Sequence, residues 1–208
     1  MSGSSNPFVA KEGIPFLALA VALVALALRF TEPWVALAPL IAFILLFLLF
    51  RDPDRDVPPV ALGIVSPVDG KVVAVDSTTH CVVQGEAHRI RIRINAFGTY
   101  TARSPIEGRV MDLRSKTEGV APGCPANALW VETDEGDSVV LQFHEYRLGF
   151  APQAFVGLGE RLGQGQRCAN IRLARFAEVY LPIAGKVKVE SGQVVRAGED
   201  LIGAVPHP

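Results

Sequence analysis

The 208-residue sequence has few cysteines and no excess of charge of either sign. Its three cysteines, Cys81, Cys124 and Cys168, are widely spaced, and none belongs to a Cys-x-x-Cys pair. This pattern indicates neither a zinc site nor a disulfide framework, and it predicts reduced core thiols in a cytosolic compartment. The net charge of -1 lacks the basic excess that is typical of nucleic-acid binding, so we expect no nucleic-acid partner. From the cysteine pattern we also expect no metal.

Hydrophobic residues make up 50% of the chain, and they are concentrated near its beginning. After a tail of residues 1–13, Ile14–Leu28 and Pro33–Phe50 form two apolar runs with a short polar turn between them. Each run comes close to the lower limit of about 17 residues for a membrane span. We predict a transmembrane helical hairpin over residues 14–50. One spanning helix followed by an interfacial helix, or a cleaved signal peptide, would be the alternatives.

Positively charged residues flank this apolar segment on both sides. Lys11 precedes it, and Arg51 and Arg55 follow it. Because such residues tend to stay on the cytoplasmic side of a membrane, we expect both ends of the hairpin there. The protein is therefore predicted to lie in the inner cell membrane, with its soluble domain on the cytoplasmic side.

The rest of the chain has the pattern of a β protein. Residues 51–60 are charged and rich in proline, which predicts a linker. Over residues 61–208, short apolar runs are interrupted by glycine, proline, asparagine and aspartate, and no helical period persists. This pattern predicts a mainly β domain, either a barrel or a sandwich.

One turn pattern, Pro-x-x-Gly followed by a basic residue and valine, occurs three times, in Ser66–Val72, Ser104–Val110 and Leu181–Val187. Proline ends the preceding ladder, glycine permits the bend, and valine begins a strand. The third segment and its continuation resemble the hairpins of biotinyl and lipoyl carrier domains, which implies a barrel-sandwich fold with a duplicated hairpin. No carrier function is expected, because the turn at Gly192 has no lysine to modify.

A basic stripe follows from strict alternation in His88–Ile94. The alternation places Arg89, Arg91 and Arg93 on one face of a strand and isoleucines on the other. One interpretation is contact with anionic lipid head groups at the membrane surface. The other is a solvated strand face, whose charges discourage pairing with other strand edges.

Three short segments resemble the phosphatidylserine decarboxylases, in particular their short prokaryotic form. Ile171–Pro182 reads Ile-Arg-Leu-Ala-Arg-Phe-Ala-Glu-Val-Tyr-Leu-Pro and resembles the segment in which that family cleaves itself. Phe50–Pro53 reads Phe-Arg-Asp-Pro, as the family does after its anchor, and Lys11–Phe16 resembles the family's start. The resemblance implies a carboxy-lyase family of phospholipid metabolism, with a barrel-sandwich fold.

The resemblance also implies a cofactor that this chain cannot form in the family's way. The family cleaves itself before the serine of a Gly-Ser pair, and that serine becomes a pyruvoyl group. The corresponding residues here are Ala174 and Arg175, and the only Gly-Ser pair is Gly3-Ser4, in the tail before the membrane. We therefore expect no pyruvoyl cofactor.

Two further family positions concern the residues that drive self-cleavage. Asp69 matches the family's catalytic aspartate, although Asp-Gly is also a common turn signal. The family's histidine position is Tyr100, which is a poor base at neutral pH. Arg103 matches an arginine of the same motif, and we include it among the candidate contacts to a lipid head group. His144, in a strand-like run, is expected to be a satisfied polar neighbour rather than a base.

These observations leave three hypotheses for function. The first is a membrane-anchored, degenerate family member that binds phospholipid or a protein partner. The protein partner would be a lipid-synthesis protein or a second copy of the chain in a homo-oligomer. The second is an active phosphatidylserine decarboxylase that produces phosphatidylethanolamine through unusual maturation. The third is a membrane scaffold or interaction module without a lipid pocket.

Overall fold

The structure is a computed structural model that describes residues 9–30, 32–80, 83, 85–114, 128–146 and 150–206. Cys81, Cys124 and His207 lie outside the described residues. The chain divides into two compact units. Unit 1 comprises Met1–Asp54 with Ala96–Tyr100, and unit 2 comprises Arg55–Asn95 with Thr101–Pro208.

Unit 1 contains the two apolar helices. Short 3-10 turns, Lys11–Gly13 and Pro33–Ala36, lead into helices α1 (Ile14–Phe30) and α2 (Leu37–Phe50). Pro33 lies at the first turn, where its missing N–H is not needed. The helices pack against each other, and the Ala10 N–H donates to the Phe50 carbonyl at 2.9 Å. The start of α1 therefore lies beside the end of α2.

Large apolar side chains remain exposed along both helices of unit 1. They include Leu19, Leu23, Leu26 and Leu28 on α1, and Ile41, Ile44, Leu45 and Leu48 on α2. Within the described residues, Lys11–Phe30 is the one helical stretch that is both long and apolar enough to cross a membrane. Trp34–Phe50 is apolar as well but shorter. One apolar helix near the N-terminus is thus confirmed.

Unit 2 is built from strands throughout its described part, which confirms the mainly β prediction. The strands are β1 (Gly63–Val65), β2 (Gly70–Thr79), β3 (Glu86–Ile94), β4 (Thr101–Arg103), β5 (Gly108–Arg114), β6 (Ala128–Glu132), β7 (Ser138–His144), β8 (Gln153–Ala154), β9 (Arg161–Leu162), β10 (Arg167–Asn170), β11 (Phe176–Pro182), β12 (Lys186–Val187), β13 (Val194–Val195) and β14 (Leu201–Ala204).

These strands form three antiparallel sheets. Eight of them form one sheet in the order β13-β2-β3-β11-β7-β6-β5-β9, and two sheets of three strands have the orders β1-β14-β12 and β4-β10-β8. In the described residues, β13 and β9 are the two edges of the large sheet, so it does not close into a barrel.

The core lies against one face of the large sheet, as strand alternation requires. On β3, Ile90 and Ile92 are fully buried, whereas Arg89 and Arg91 are half-buried and Arg93 is exposed. Each such isoleucine contributes about 1.5–3 kcal/mol through burial. On β11, Ala177, Val179 and Leu181 belong to the same core. The residues between them therefore project from the opposite face, which we call the outer face.

The first two turn segments have the same local structure. The Ser66 hydroxyl donates to the Val68 carbonyl at 2.7 Å, and the Ser104 hydroxyl donates to the Ile106 carbonyl at 2.8 Å. Each segment then leads into a strand that begins at its glycine, β2 at Gly70 and β5 at Gly108. The same pattern in the sequence thus produces the same turn twice.

The partners of the two turns are repeated as well. The Ser66 carbonyl accepts from the Gly198 N–H at 2.8 Å, and the Ser104 carbonyl accepts from the Gly165 N–H at 2.9 Å. Two short strands then pair with the strands that follow the turns, β13 with β2 and β9 with β5. Unit 2 therefore contains an internal duplication of turn, strand and partner loop.

Candidate functional site

A buried carboxylate, Glu178, lies on the outer face of the large sheet. It is 3% exposed and projects from β11 between β3 and β7. His144 Nε2 lies 2.9 Å from its Oε2, and the Tyr180 hydroxyl donates to the same oxygen at 2.5 Å. Arg91 Nε lies 3.4 Å from its Oε1. The carboxylate is therefore surrounded by cationic and donor groups.

These neighbours decide the ionisation of Glu178. Burial alone would raise the pKa of Glu178, but the hydrogen bonds from His144 and Tyr180, with the charges of His144 and Arg89, outweigh burial and lower it to about 2. Burial and the same hydrogen bond raise the pKa of Tyr180 above its ordinary value. Glu178 is thus an ionised acceptor at neutral pH, and Tyr180 is a neutral donor.

Beside Glu178, two arginines approach one aromatic ring. The guanidinium carbons of Arg91 and Arg175 lie 4.3 and 5.9 Å from the centre of the Phe176 ring. Glu145 bridges the two arginines, with its Oε1 3.3 Å from Arg91 and its Oε2 3.6 Å from Arg175. We call Arg91, Arg175, Glu145 and Phe176 the arginine pair site.

The strand ends position this site. The Arg175 N–H donates to the His144 carbonyl at 3.3 Å, and the Arg175 carbonyl accepts from the Ile94 N–H at 2.9 Å. The backbone of Arg175 therefore joins the end of β3 to the end of β7. Because Arg175 has no hydroxyl or thiol to attack the preceding carbonyl, a pyruvoyl group does not fit at this position.

Asp69, which the sequence predicts to match the family's aspartate, lies in unit 2 and contacts Arg55 and Ala197. Its Oδ2 pairs with Arg55 at 2.9 Å, and its Oδ1 accepts from the Ala197 N–H at 2.7 Å. Arg55 also pairs with Glu199 at 3.1 Å. These contacts join the Asp69 turn to the loop that contains Ala197 and Glu199.

Tyr100, which the sequence predicts to occupy the family's histidine position, lies in unit 1 beside the helix ends. Its hydroxyl donates to Glu12 Oε2 at 2.7 Å, and its ring centre lies 4.8 Å from that of Phe50. Phe50 in turn stacks on Phe16 at 5.8 Å. The described contacts of Tyr100 hold the Ala96–Tyr100 loop against the two helices.

The predicted lipid contacts differ in exposure. Arg89 binds Asp76 through two hydrogen bonds, at 2.8 and 2.6 Å, and Arg93 is exposed. Arg103, by contrast, is 2% exposed and donates to the Gly165 carbonyl at 3.1 Å. Its guanidinium therefore lies inside the domain rather than on its surface.

The remaining chemistry is limited in the described residues. They contain no cluster of three histidine, cysteine or acidic side chains that could hold a metal. Cys168 is a buried, reduced thiol, and burial raises its pKa to about 12. It is therefore not a nucleophile at neutral pH.

The fold and site thus define a mainly β protein with an apolar N-terminal helix and a buried ionic cluster. No model of a known protein family matches the chain. The chain is similar to the phosphatidylserine decarboxylase proenzymes of Nitrosomonas eutropha (34% identity) and Nitrosomonas europaea (35%), in each case over 95% of both chains. That of Paraburkholderia phymatum is 30% identical over 95% of this chain and 97% of that one.

The chain therefore belongs to the phosphatidylserine decarboxylase family, as the sequence motifs predict. This membership places it in a family of lipid metabolism. Among solved structures, the glucose permease IIA from Mycoplasma capricolum has a TM-score of 0.46 and 14% identity, covering 68% of this chain and 94% of that one. That similarity is too low to inform fold or function.

Sequence reasoning missed the ionic cluster around Glu178. The period-2 pattern of Phe176–Pro182 contains a signal, because it places Glu178 and Tyr180 on the face opposite the core residues Ala177, Val179 and Leu181. His144 Nε2 lies 2.9 Å from Glu178, and that His144 is a satisfied polar neighbour rather than a base stays a prediction. The sequence pattern does not show which strands lie beside β11.

Proposed function

We propose that this protein is a membrane-anchored member of the phosphatidylserine decarboxylase family that does not form the pyruvoyl group. In this proposal it binds phospholipid, or a partner of lipid synthesis, without decarboxylating it. The observation that carries the proposal is Arg175, which stands where the family has its serine and pairs with Glu145. Without a pyruvoyl group there is no Schiff base with the amine of the substrate and no electron sink.

The two other positions of the self-cleavage set support the same proposal. Tyr100 is engaged with Glu12 and Phe50, and Asp69 with Arg55 and Ala197. These contacts give Tyr100 a structural role in unit 1 and Asp69 a structural role in unit 2. We therefore regard Asp69 as a vestige of the family's catalytic aspartate.

A second candidate is an active phosphatidylserine decarboxylase with unusual maturation. It is favoured by relatives named as proenzymes of that activity, which are similar over 95% of the chain. A third candidate is a scaffold without lipid binding. Turnover separates the active enzyme from the other two, and lipid binding separates the first proposal from the scaffold.

For the membrane anchor, we propose a helical hairpin in the inner membrane with both ends on the cytoplasmic side. The Ala10–Phe50 hydrogen bond supports this arrangement because it joins the two ends of the helix pair. Lys11 and Arg51 flank those ends. On the soluble domain, the exposed Arg93 is the member of the basic stripe best placed to contact head groups.

For the fold of unit 2, we propose a barrel-sandwich built from a duplicated hairpin. The equivalent turns at Ser66 and Ser104 support it, as do the equivalent partner loops at Gly198 and Gly165.

The proposal is tested by turnover and binding in one preparation. The full-length protein, reconstituted into vesicles with carboxyl-labelled phosphatidylserine, is expected to release no labelled carbon dioxide above a protein-free control. The same protein is expected to retain anionic lipid through detergent purification, measured by mass spectrometry of the extracted lipids. Release of carbon dioxide would establish the active enzyme instead, and the absence of retained lipid would favour the scaffold.

A further inference from the structure

The arginine pair site contains two like charges that need an anion between them. Arg91 and Arg175 approach the same Phe176 ring, at 4.3 and 5.9 Å. A ring face attracts a cation, but it does not cancel the repulsion between two of them. The carboxylate of Glu145, which lies within 3.6 Å of both guanidinium groups, supplies that negative charge from the chain itself.

Glu145 is held loosely in this position. Its side chain is 49% exposed, and its contacts of 3.3 and 3.6 Å are long for charge-assisted hydrogen bonds. Ion pairs at half-exposed positions contribute little to stability. The Glu145 backbone, moreover, has a φ of 54°, in the left-handed region that a non-glycine residue rarely adopts. An external anion would therefore have a weak competitor.

The backbone that carries the two arginines, in contrast, is held by the large sheet. Arg91 lies within β3 opposite Glu178 of β11, and its Nη2 donates to Glu145 Oε1 at 3.3 Å. The Arg175 backbone is bound to β7 and β3 through His144 and Ile94. A phosphate group presents several anionic oxygens to such forked donors, so it satisfies both guanidiniums better than one carboxylate does.

We infer that Arg91 and Arg175 form a phosphate-binding site, and that Glu145 occupies it as an intramolecular ligand that a phosphate group displaces. The phosphate is either a free monoester or the head group of a phospholipid. For the lipid source this inference rests on the function proposed above. The site itself does not.

The test is titration of the full-length protein in neutral detergent with inorganic phosphate, at constant ionic strength, by isothermal calorimetry. Removal of the internal carboxylate in Glu145→Gln is expected to tighten binding about tenfold, and removal of one fork in Arg175→Gln to weaken it about tenfold. Arg175→Lys is expected to restore part of the affinity, because it keeps the charge but loses the fork.

The matched control is Arg161→Gln. Arg161 is also an exposed arginine between two carboxylates, Glu107 at 3.2 Å and Asp134 at 2.6 Å, but it lies on β9 at the edge of the sheet. Its substitution is expected to leave phosphate affinity unchanged. Equal affinities in Glu145→Gln, Arg175→Gln and the unsubstituted protein would overturn the inference, as would an equal loss in Arg161→Gln.

The source of the phosphate is decided in nanodiscs. If lipid head groups fill the site, inorganic phosphate binds to the protein in neutral detergent and no longer binds in discs of phosphatidylcholine and phosphatidylglycerol, whose head groups both carry a phosphate. If the affinity is the same in detergent and in the discs, the site takes free phosphate. The inference then stands, while the proposed lipid binding loses its support from this site.

Discussion

Burying a carboxylate is costly unless cations and hydrogen-bond donors surround it, and Glu178 meets both conditions. His144 and Tyr180 contact its Oε2, and Arg91 contacts its Oε1. If the charge of Glu178 were removed, the same neighbours would destabilise the folded state. They are partly buried, and they would keep their own charge or hydrogen-bond donor without the carboxylate.

The substitution Glu178→Gln therefore tests how much the charge of Glu178 stabilises unit 2. Glutamine keeps the shape and can still accept from Tyr180, but it leaves Arg91 and His144 without their anion, which we expect to destabilise unit 2 by about 2 kcal/mol. The measurement is urea unfolding of the full chain with Trp130 as fluorescent reporter, in a Trp34→Phe background. Glu107→Gln, at a 61% exposed carboxylate, is the control and should change the free energy of unfolding by about 0.5 kcal/mol or less.

The lowered pKa of Glu178 also predicts a pH dependence. Because the pKa is about 2 when folded and its ordinary value is 4.5, the charged form stabilises the folded state fully above pH 4.5. That stabilisation is lost as the pH falls from 4.5 towards 2. The urea midpoint of the unsubstituted protein should fall over this range more steeply than that of Glu178→Gln. Parallel profiles would show that Glu178 is not the group responsible.

At the scale of elements, the duplicated turns depend on glycine at the first residue of β2 and of β5. A Cβ on Gly70 would overlap the Arg93 carbonyl oxygen, and a Cβ on Gly108 would overlap the Glu132 carbonyl oxygen. Both neighbours are backbone atoms of a paired strand and cannot move independently. The two copies of the motif should therefore respond alike to the same substitution.

Gly70→Ala and Gly108→Ala are each expected to lower the free energy of unfolding by about 1–3 kcal/mol, through backbone displacement. Urea unfolding of the full chain measures the effect. Gly157→Ala is the control, because a Cβ there has its nearest neighbour, Glu160 Oε2, at 3.7 Å. If one alanine variant were as stable as the control, the two turns would not be structurally equivalent.

The elements that could be predicted from the sequence are those with local causes. The apolar runs gave helices that begin and end close to the predicted residues, α1 at Ile14–Phe30 and α2 ending at Phe50. The alternation in β3 placed isoleucines in the core and arginines outside it. The length of the apolar runs predicts the helices, and the residue spacing in β3 predicts which of its faces is buried.

The candidate site could not be predicted in the same way, because it depends on which strands are neighbours. Glu178 meets Arg91 from β3 and His144 from β7, and both are distant in the chain. The burial of Arg103 could not be predicted for the same reason. Its side chain lies against the loop that contains Gly165, and this loop is distant from Arg103 in the chain. A sequence pattern shows that Arg103 is charged but not what covers it.

At the scale of the whole molecule, the proposed anchor depends on the apolar surface of the helices. Leu23, near the middle of α1, is 47% exposed. Arginine at the centre of a spanning helix costs about 2.5–3.5 kcal/mol on insertion scales. Leu23→Arg is therefore expected to shift part of the protein from the carbonate-washed membrane to the soluble fraction, measured by immunoblot. Val194→Arg, at a 71% exposed position of β13, should leave the distribution unchanged. Equal retention of both variants would contradict the anchor.

The central claim is that a chain with Arg175 at the family's serine position does not mature. The most direct measurement is the intact mass of the purified full-length protein, with and without hydroxylamine. We predict one uncleaved chain of 22.3 kDa that does not react with hydroxylamine. Two fragments divided between Ala174 and Arg175, the smaller carrying a carbonyl group that reacts, would contradict the account and establish a self-processing decarboxylase.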